Sequence, residues 1–224
     1  MSVGAILLAA GRGERLGLGS KKALVTLAGR PLFAWPLEAL ERVAAIAAIV
    51  VVGPARALRE ALPEGSGTRV VAFCEGGSER QDSVRRGLAA LPPECDTVAV
   101  HDAARALVTP ELIARSVADA LAAGAAIAAI PLADTVKRVT LGAIDGTVPR
   151  AGLWCAQTPQ VFRRDWLEEA HARATGVATD DAALLEAIGR PVRITPGDPL
   201  NFKITTPGDL ALAEAWLCTR DSRA

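Results

Sequence analysis

Net charge is missing from this chain: 25 lysines and arginines balance 25 aspartates and glutamates over 224 residues. The charges are interspersed, so there is no basic footprint for duplex nucleic acid. Tyrosine is absent, and four phenylalanines and four tryptophans are too few for the stacking platforms that single strands need. No apolar run is long enough to span a bilayer, and no charged–apolar–cleavage pattern opens the chain. The expectation is a cytoplasmic protein with neither nucleic acid nor membrane as a partner.

Metal and nucleophile signals are equally scarce. Cys74, Cys95, Cys155 and Cys218 are widely spaced and form no C-x-x-C, and His101 and His171 are the only histidines. That speaks against a Cys/His zinc site and for reduced thiols in the cytosol. No G-x-S-x-G elbow is present, which argues against a Ser-His-Asp hydrolase. Repeats, low-complexity tracts and interdomain linkers are also lacking, so residues 1–224 read as one domain.

What is present centres on residues 7–32, LLAAGRGERLGLGSKKALVTLAGRPL. An apolar run ends at Ala9-Ala10-Gly11, and a glycine-rich basic loop follows. Small residues at Ala9, Ala10, Gly11 and Gly13 let backbone N–H groups approach an anion closely. Arg15, Lys21 and Lys22 add positive charge beside that backbone, as a triphosphate site requires. The loop is not a Walker loop, because no G-K-[ST] ends it, and its glycines do not give G-x-G-x-x-G.

Downstream, apolar strands alternate with helical patterns, which argues a doubly wound, mostly parallel, Rossmann-like α/β sheet. Helices are expected over Pro31 to Val43, Ala55 to Leu62, Glu79 to Leu91 and Pro110 to Ala123, the last capped by Thr109. Buried strands are expected at Ile46 to Val52, Thr97 to His101 and Ala125 to Ile130. Ligands in such sheets lie beyond the carboxyl ends of the strands. That places Gly76-Gly77, with Ser83 one turn into the next helix, and Asp102 to Arg105 among the candidates. Asp102 can serve a metal ion or ligand hydroxyls, and Arg105 can hold a phosphate or orient Asp102. Between Pro131 and Trp154 the pattern becomes antiparallel, with turns expected at Gly142 and at Asp145-Gly146. Thr158, in a polar Thr-Pro-Gln turn, and Lys203, in an apolar setting, are further contact candidates. Asp180 and Asp181 are explained by the positive end of the helix they open.

The opening loop, A-A-G-x-G-x-R-[ML]-G followed by a lysine and L-x-G-x-P-L, resembles the signature of sugar-nucleotide and polyol-phosphate nucleotidylyltransferases. With G-G-S-E-R-Q-D-S-V, V-H-D-A-A-R, D-T-V-K-R-V, R-A-G-L-W-C-A-Q-T-P-Q-V-F, T-D-D-A and N-F-K-I-T-T-P-G-D-L, nearly the whole chain closely resembles the 2-C-methyl-D-erythritol 4-phosphate cytidylyltransferase family. One departure stands out: Lys21-Lys22-Ala23 occupies the place where the family usually has Pro-Lys-Gln. Lys22 is then the matching lysine, with Lys21 as a substitute candidate.

The resemblance implies a nucleotide-diphospho-sugar transferase type of fold and transfer of CMP from CTP to the polyol phosphate with release of pyrophosphate. It implies transition-state stabilisation by Arg15 and Lys22, and a hold on the acceptor phosphate by Arg150 and Lys203. Asp102, Arg105, Thr135 and Thr158 would contact the acceptor, and Ala9, Ala10, Gly11, Gly13, Gly77 and Ser83 would line the CTP site. Mg²⁺ would bridge triphosphate oxygens with few protein ligands. The excursion at residues 132–154 would be a β-arm that interlocks two subunits into a homodimer, carrying Thr135 and Arg150 into the partner's site. A different acceptor, such as ribitol 5-phosphate, and an idle nucleotide-binding regulator are the alternatives.

Overall fold

The computed structural model of the chain describes residues 2–11, 13 and 22–221. Strand β1 (Ser2–Leu8) runs into the glycine-rich loop. A single helical turn, Lys22–Leu24, leads to the short ribbon β2 (Thr26–Leu27) and β3 (Arg30–Pro31). Its two-residue turn places Ala28 at φ 47° and Gly29 at φ 77°, the left-handed geometry of a tight hairpin. Pro31 therefore closes a ribbon instead of opening a helix, and α1 starts later, at Ala34–Glu41.

Strand and helix then alternate: β4 (Ile46–Gly53), α2 (Ala55–Glu60), β5 (Val70–Glu75), α3 (Arg80–Ala90), β6 (Cys95–Asp102) and α4 (Pro110–Ala123). Thr109 caps α4, its hydroxyl accepting from the Leu112 N–H at 3.2 Å, with Pro110 at the first helical position. Next come β7 (Ala125–Pro131), the arm strands β8 (Val136–Thr140) and β9 (Ala143–Val148), β10 (Trp154–Arg163), α5 (Arg164–Arg173), α6 (Asp181–Ala187), β11 (Arg193–Pro196) and α7 (Pro207–Asp221).

Seven strands form one sheet in the order β11-β7-β10-β6-β1-β4-β5. Every neighbouring pair is parallel except those made by β10, which runs antiparallel to both β6 and β7. The arm explains the exception. β7 leaves the sheet at Pro131, the chain makes the β8–β9 hairpin, and Trp154 returns opposite Pro131. A hairpin reverses direction where a helical crossover would not.

Period-two alternation divides the core between the two faces of the sheet. Ala5, Leu7, Ile49, Val51 and Ala99 pack with α1 and α4 through Leu37, Leu40, Leu112 and Ile113. Ile6, Val50, Val52, Val98 and Val100 pack on the other face with Val84 and Leu88 of α3 and with Leu167, Leu184 and Leu185. Helix α7 belongs to a third cluster, where Ala213 and Leu217 meet Leu27, Leu32 and Ile204. No helix among the described residues is long and apolar enough to cross a membrane.

Within the arm the turn is Leu141-Gly142, at φ 49° and 82°, and Asp145-Gly146 is not a turn. Arg138 pairs with Gly146 while Val139 pairs with Ile144, so Asp145 is the extra residue of a β-bulge. Gly142, lacking a Cβ, takes the left-handed position that the tip requires.

Candidate functional site

A cavity of about 310 Å³ opens beyond the carboxyl ends of β1 and β6, where a doubly wound sheet presents its ligands. Ala9, Ala10 and Gly11 form one wall, and Lys22 enters from the helical turn that follows the loop. Gly77 contributes from the β5–α3 connection and Ser83 from the first turn of α3, and Asp102 and Lys203 from the end of β6 and the segment before α7. Gly13 sits against Lys22: at φ 71°, a Cβ there would lie 2.9 Å from the lysine's Cβ. Arg15 and Lys21 lie outside the described residues.

Close approach explains the glycines after β5. A Cβ on Gly76 would stand 2.4 Å from Cβ of Ala10, and one on Gly77 2.2 Å from Cβ of Asp82. Ser83 Oγ accepts from the Gly77 N–H at 3.0 Å, tying the turn to the first turn of α3. The Asp82 carboxylate accepts from Ser78 Oγ at 2.9 Å and from the Glu79 N–H at 3.2 Å, so the start of α3 is held from within.

The charged floor of the cavity is Asp102. Its Oδ2 accepts from Lys203 Nζ at 2.6 Å, and its Oδ1 faces Arg80 Nε at 3.4 Å. Burial opposes ionisation of this carboxyl, but the positive charges of Arg80 and Lys203 outweigh it and hold the group well below the usual carboxylate range. The lining thus carries Lys22, Arg80 and Lys203 against Asp102 and Glu79, a balance that suits an anionic ligand.

Behind Asp102 a hydrogen-bond chain runs away from the cavity. The Asp102 N–H donates to Thr158 Oγ1 at 3.1 Å, and that hydroxyl lies 3.0 Å from His101 Nδ1. His101 Nε2 faces the Arg105 carbonyl at 3.3 Å. A carbonyl can only accept, so Nε2 carries the proton and Nδ1 accepts from Thr158. Burial pushes His101 down to about 4, which keeps it neutral in this role. Thr158 reaches this position because β10 bulges: Ala156 pairs with Ala129, but the next pair is Gln160 with Ile127.

Arg105 also works behind the cavity. Its guanidinium donates to the carbonyls of Asn201 at 2.8 Å and Ala156 at 3.3 Å, binding the segment that carries Lys203 to β10. Thr158 and Arg105, expected as contacts, thus lie next to Asp102 and the Lys203 segment, just behind the residues that line the cavity. Thr135 and Arg150 are exposed on the arm, and Arg150 donates to the Ala133 carbonyl. Neither lines the cavity of its own chain.

Two residues of the site carry no local signal of their role: Arg80, inside the G-G-S-E-R-Q-D-S-V stretch, and Asp181, which the positive end of its helix is enough to explain. Arg80 lines the cavity and donates to Asp181 Oδ2 at 2.6 Å. Asp181 is fully buried, and His171 Nε2 stands 3.0 Å from its Oδ1. Invisible burial was the obstacle. The one usable signal was Asp180, which already serves as the cap by accepting from the Ala183 N–H at 3.0 Å and leaves Asp181 without that task.

Known proteins resemble the chain over nearly its full length. The family model described as "IspD: 2-C-methyl-D-erythritol 4-phosphate cytidylyltransferase" matches residues 3–219. A 2-C-methyl-D-erythritol 4-phosphate cytidylyltransferase from Prochlorococcus marinus (strain MIT 9313) is 46% identical over 223 residues, covering 96% of this chain and 98% of that protein. One of the same name from Frankia casuarinae is 49% identical over 222 residues, covering 98% of this chain and 82% of that protein. The crystal structure of the Thermus thermophilus cytidylyltransferase superposes with a TM-score of 0.80 at 39% identity, covering 96% of this chain and 98% of that one. Agreement of sequence and fold at this length leaves one assignment: the chain belongs to the 2-C-methyl-D-erythritol 4-phosphate cytidylyltransferase family.

Proposed function

We propose that the cavity at the ends of β1 and β6 is where this chain carries out its family's reaction. The chain is a nucleotidyltransferase of the non-mevalonate isoprenoid pathway. A phosphate oxygen of 2-C-methyl-D-erythritol 4-phosphate attacks the α-phosphorus of CTP. The bond from that phosphorus to the bridging oxygen breaks, and pyrophosphate leaves with the electron pair. The products are 4-diphosphocytidyl-2-C-methyl-D-erythritol and pyrophosphate.

Both reactants are anions, so the barrier is lowered by positioning and charge stabilisation. One observation carries the reading: Lys22, the 9–11 backbone and the Lys203–Asp102 pair meet in a single cavity. In this reading Ala9, Ala10, Gly11 and Gly13 cradle the triphosphate, and Gly77 and Ser83 face the nucleoside. Lys22, with Arg15, stabilises the charge that grows on the α-phosphoryl group. Lys203 holds the acceptor phosphate in line, and Asp102 faces the acceptor. Thr158 and Arg105 act from behind by fixing Asp102 and the Lys203 segment.

Among the described residues no group of three or more His, Cys, Asp or Glu could hold a metal ion. Among the described residues the carboxylates on the lining are Glu79 and Asp102, and both oxygens of Asp102 face cations. That donor set fits Mg²⁺ carried mainly by the nucleotide's own phosphates. Bound there, the ion would neutralise triphosphate charge.

The arm supplies the remaining residues. Val139, Leu141 and Ile144 are 56%, 103% and 68% exposed, more apolar surface than a two-stranded hairpin leaves bare when it works alone. A second copy of the chain related by a two-fold axis covers it and brings Thr135 and Arg150 to the neighbouring cavity. The four cysteines are free thiols, in keeping with a cytoplasmic enzyme.

The test is pyrophosphate release from CTP and Mg²⁺ with a panel of acceptors. Turnover with 2-C-methyl-D-erythritol 4-phosphate well above that with ribitol 5-phosphate supports the reading. The reverse order, or no release with either, overturns it.

A further inference from the structure

A chain of polar and charged side chains runs into the cavity from behind, and the proposed reaction steps use only its last two members, Asp102 and Lys203. It begins at His171 on α5, whose Nε2 lies 3.0 Å from Asp181 Oδ1. The other oxygen of Asp181 accepts from Arg80 Nη1 at 2.6 Å. Arg80, at the first position of α3, turns its Nε toward Asp102 Oδ1 at 3.4 Å, and Asp102 Oδ2 accepts from Lys203. Five side chains from five parts of the fold thus connect the α5–α6 corner to the cavity.

Helix capping does not account for Asp181. Asp180 is the N-cap of α6, while the Asp181 side chain is completely buried. Stability does not account for it either. Buried ion pairs offset their desolvation only with excellent geometry, and apolar replacements are often as stable. The geometry here is also unfinished, since Arg80 Nη2 and His171 Nδ1 are buried without a hydrogen-bond partner among the described residues. Such an arrangement holds a group in place more than it holds the fold together.

The group held is the Arg80 guanidinium. An arginine fork pairs best with both oxygens of one carboxylate. Arg80 has two carboxylates within reach, and its short contact is to Asp181, with the longer one to Asp102. Asp102 Oδ2 is thereby left to Lys203. We propose that Asp181, backed by His171, is a positioning residue that draws Arg80 away from Asp102 and so keeps the Lys203 ammonium in place for the acceptor phosphate. Without the Asp181 charge, Arg80 closes on Asp102 with both arms and displaces Lys203. This inference rests on the reading of Lys203 as the acceptor-phosphate ligand.

The test is steady-state kinetics for both substrates on Asp181→Asn, Arg80→Gln and the double variant, with a thermal melt of each. Asp181→Asn should raise the acceptor KM roughly tenfold, the scale of one displaced charge-assisted contact. Its KM for CTP should stay within about twofold, because the 9–11 and Gly77 walls are untouched. The double variant should match Arg80→Gln, since Asp181 acts only through Arg80. Equal rises in both KM values, an unchanged acceptor KM, or additive effects in the double variant overturn the proposal. Should Asp181→Asn fail to melt cooperatively because the Arg80 charge is stranded, the double variant strands none, and its match to Arg80→Gln decides. A wild-type protein inactive with 2-C-methyl-D-erythritol 4-phosphate refutes the functional reading instead. An active wild type with an unaffected Asp181→Asn refutes this inference alone.

Discussion

The Lys203 ammonium donates to Asp102 Oδ2 at 2.6 Å across 101 residues of sequence. The contact joins the end of β6 to the segment before α7 and closes one side of the cavity. It also gives the buried Asp102 carboxylate a counter-charge, which with Arg80 offsets the cost of its desolvation. Lys203→Ala should lower kcat/KM for the acceptor by about 10²–10³, the effect of removing one preorganised donor to a charged centre. Near-normal acceptor kinetics would remove Lys203 from the acceptor site.

The same pair predicts an acid dependence. Asp102 ionises well below the usual carboxylate range in the folded chain, with Arg80 and Lys203 overcoming the effect of burial. A folded-state value below the unfolded one stabilises the fold above the unfolded value, and that stability is lost as pH falls through the folded value. Without the Lys203 charge the folded value rises toward the unfolded one and this contribution shrinks. Melting temperatures of wild type and Lys203→Ala should therefore stand furthest apart near neutral pH and draw together as pH falls below the unfolded carboxylate value. Parallel curves would contradict the assignment.

His101 gives a second, separable pH effect. Burial lowers it from 6.5 to about 4, so the unfolded chain takes up its proton first as pH falls. Its contribution is complete above the unfolded value and is lost on going down to the folded one. The slope is up to about 1.4 kcal/mol per pH unit for one proton. His101→Gln, which can still donate to the Arg105 carbonyl, should flatten urea-derived stability between pH 6.5 and 4. An unchanged slope would show that His101 is not the group responsible.

Lys22 and Lys21 can be told apart by rate. Lys22 lines the cavity, and Lys22→Ala should reduce kcat by about 10²–10³ while CTP affinity changes less. Lys21→Ala should have the smaller effect. The opposite ranking in single-turnover assays would hand the role to Lys21.

The arm predicts complementation. Arg150→Ala and Lys22→Ala proteins, each nearly inactive, are mixed under conditions that exchange subunits. If Arg150 serves the neighbouring cavity, one site of each heterodimer carries both defects and the other neither, so up to about half of the heterodimer's sites recover. No recovery, or a monomer in sedimentation at assay concentration, would return Arg150 to its own subunit.

The sequence alone determined what local patterns encode. Continuous apolar runs marked β4 and β7, a short apolar stretch marked β6, and Thr109-Pro110 marked the start of α4, because strand burial and helix capping depend on residues close in the chain. Glycine and alanine at 9–11 showed a close-approach loop for the same reason, and eight of the site residues named from sequence do line one cavity. The tertiary structure decided what depends on partners far away. Asp145-Gly146 looks like a turn by itself, but the register of β8 against β9 makes it a bulge. Thr158 and Arg105 have the chemistry of ligand contacts, but their partners within the chain, the Asp102 N–H and the Asn201 carbonyl, are brought to them only by the fold. Asp181 is the sharpest case. An acidic residue at a helix start has a sufficient local explanation, and only the fold places it at zero exposure beside an arginine 101 residues away. The charge of a side chain is written in the sequence, but the solvent it loses and the counter-charge it gains are set by packing.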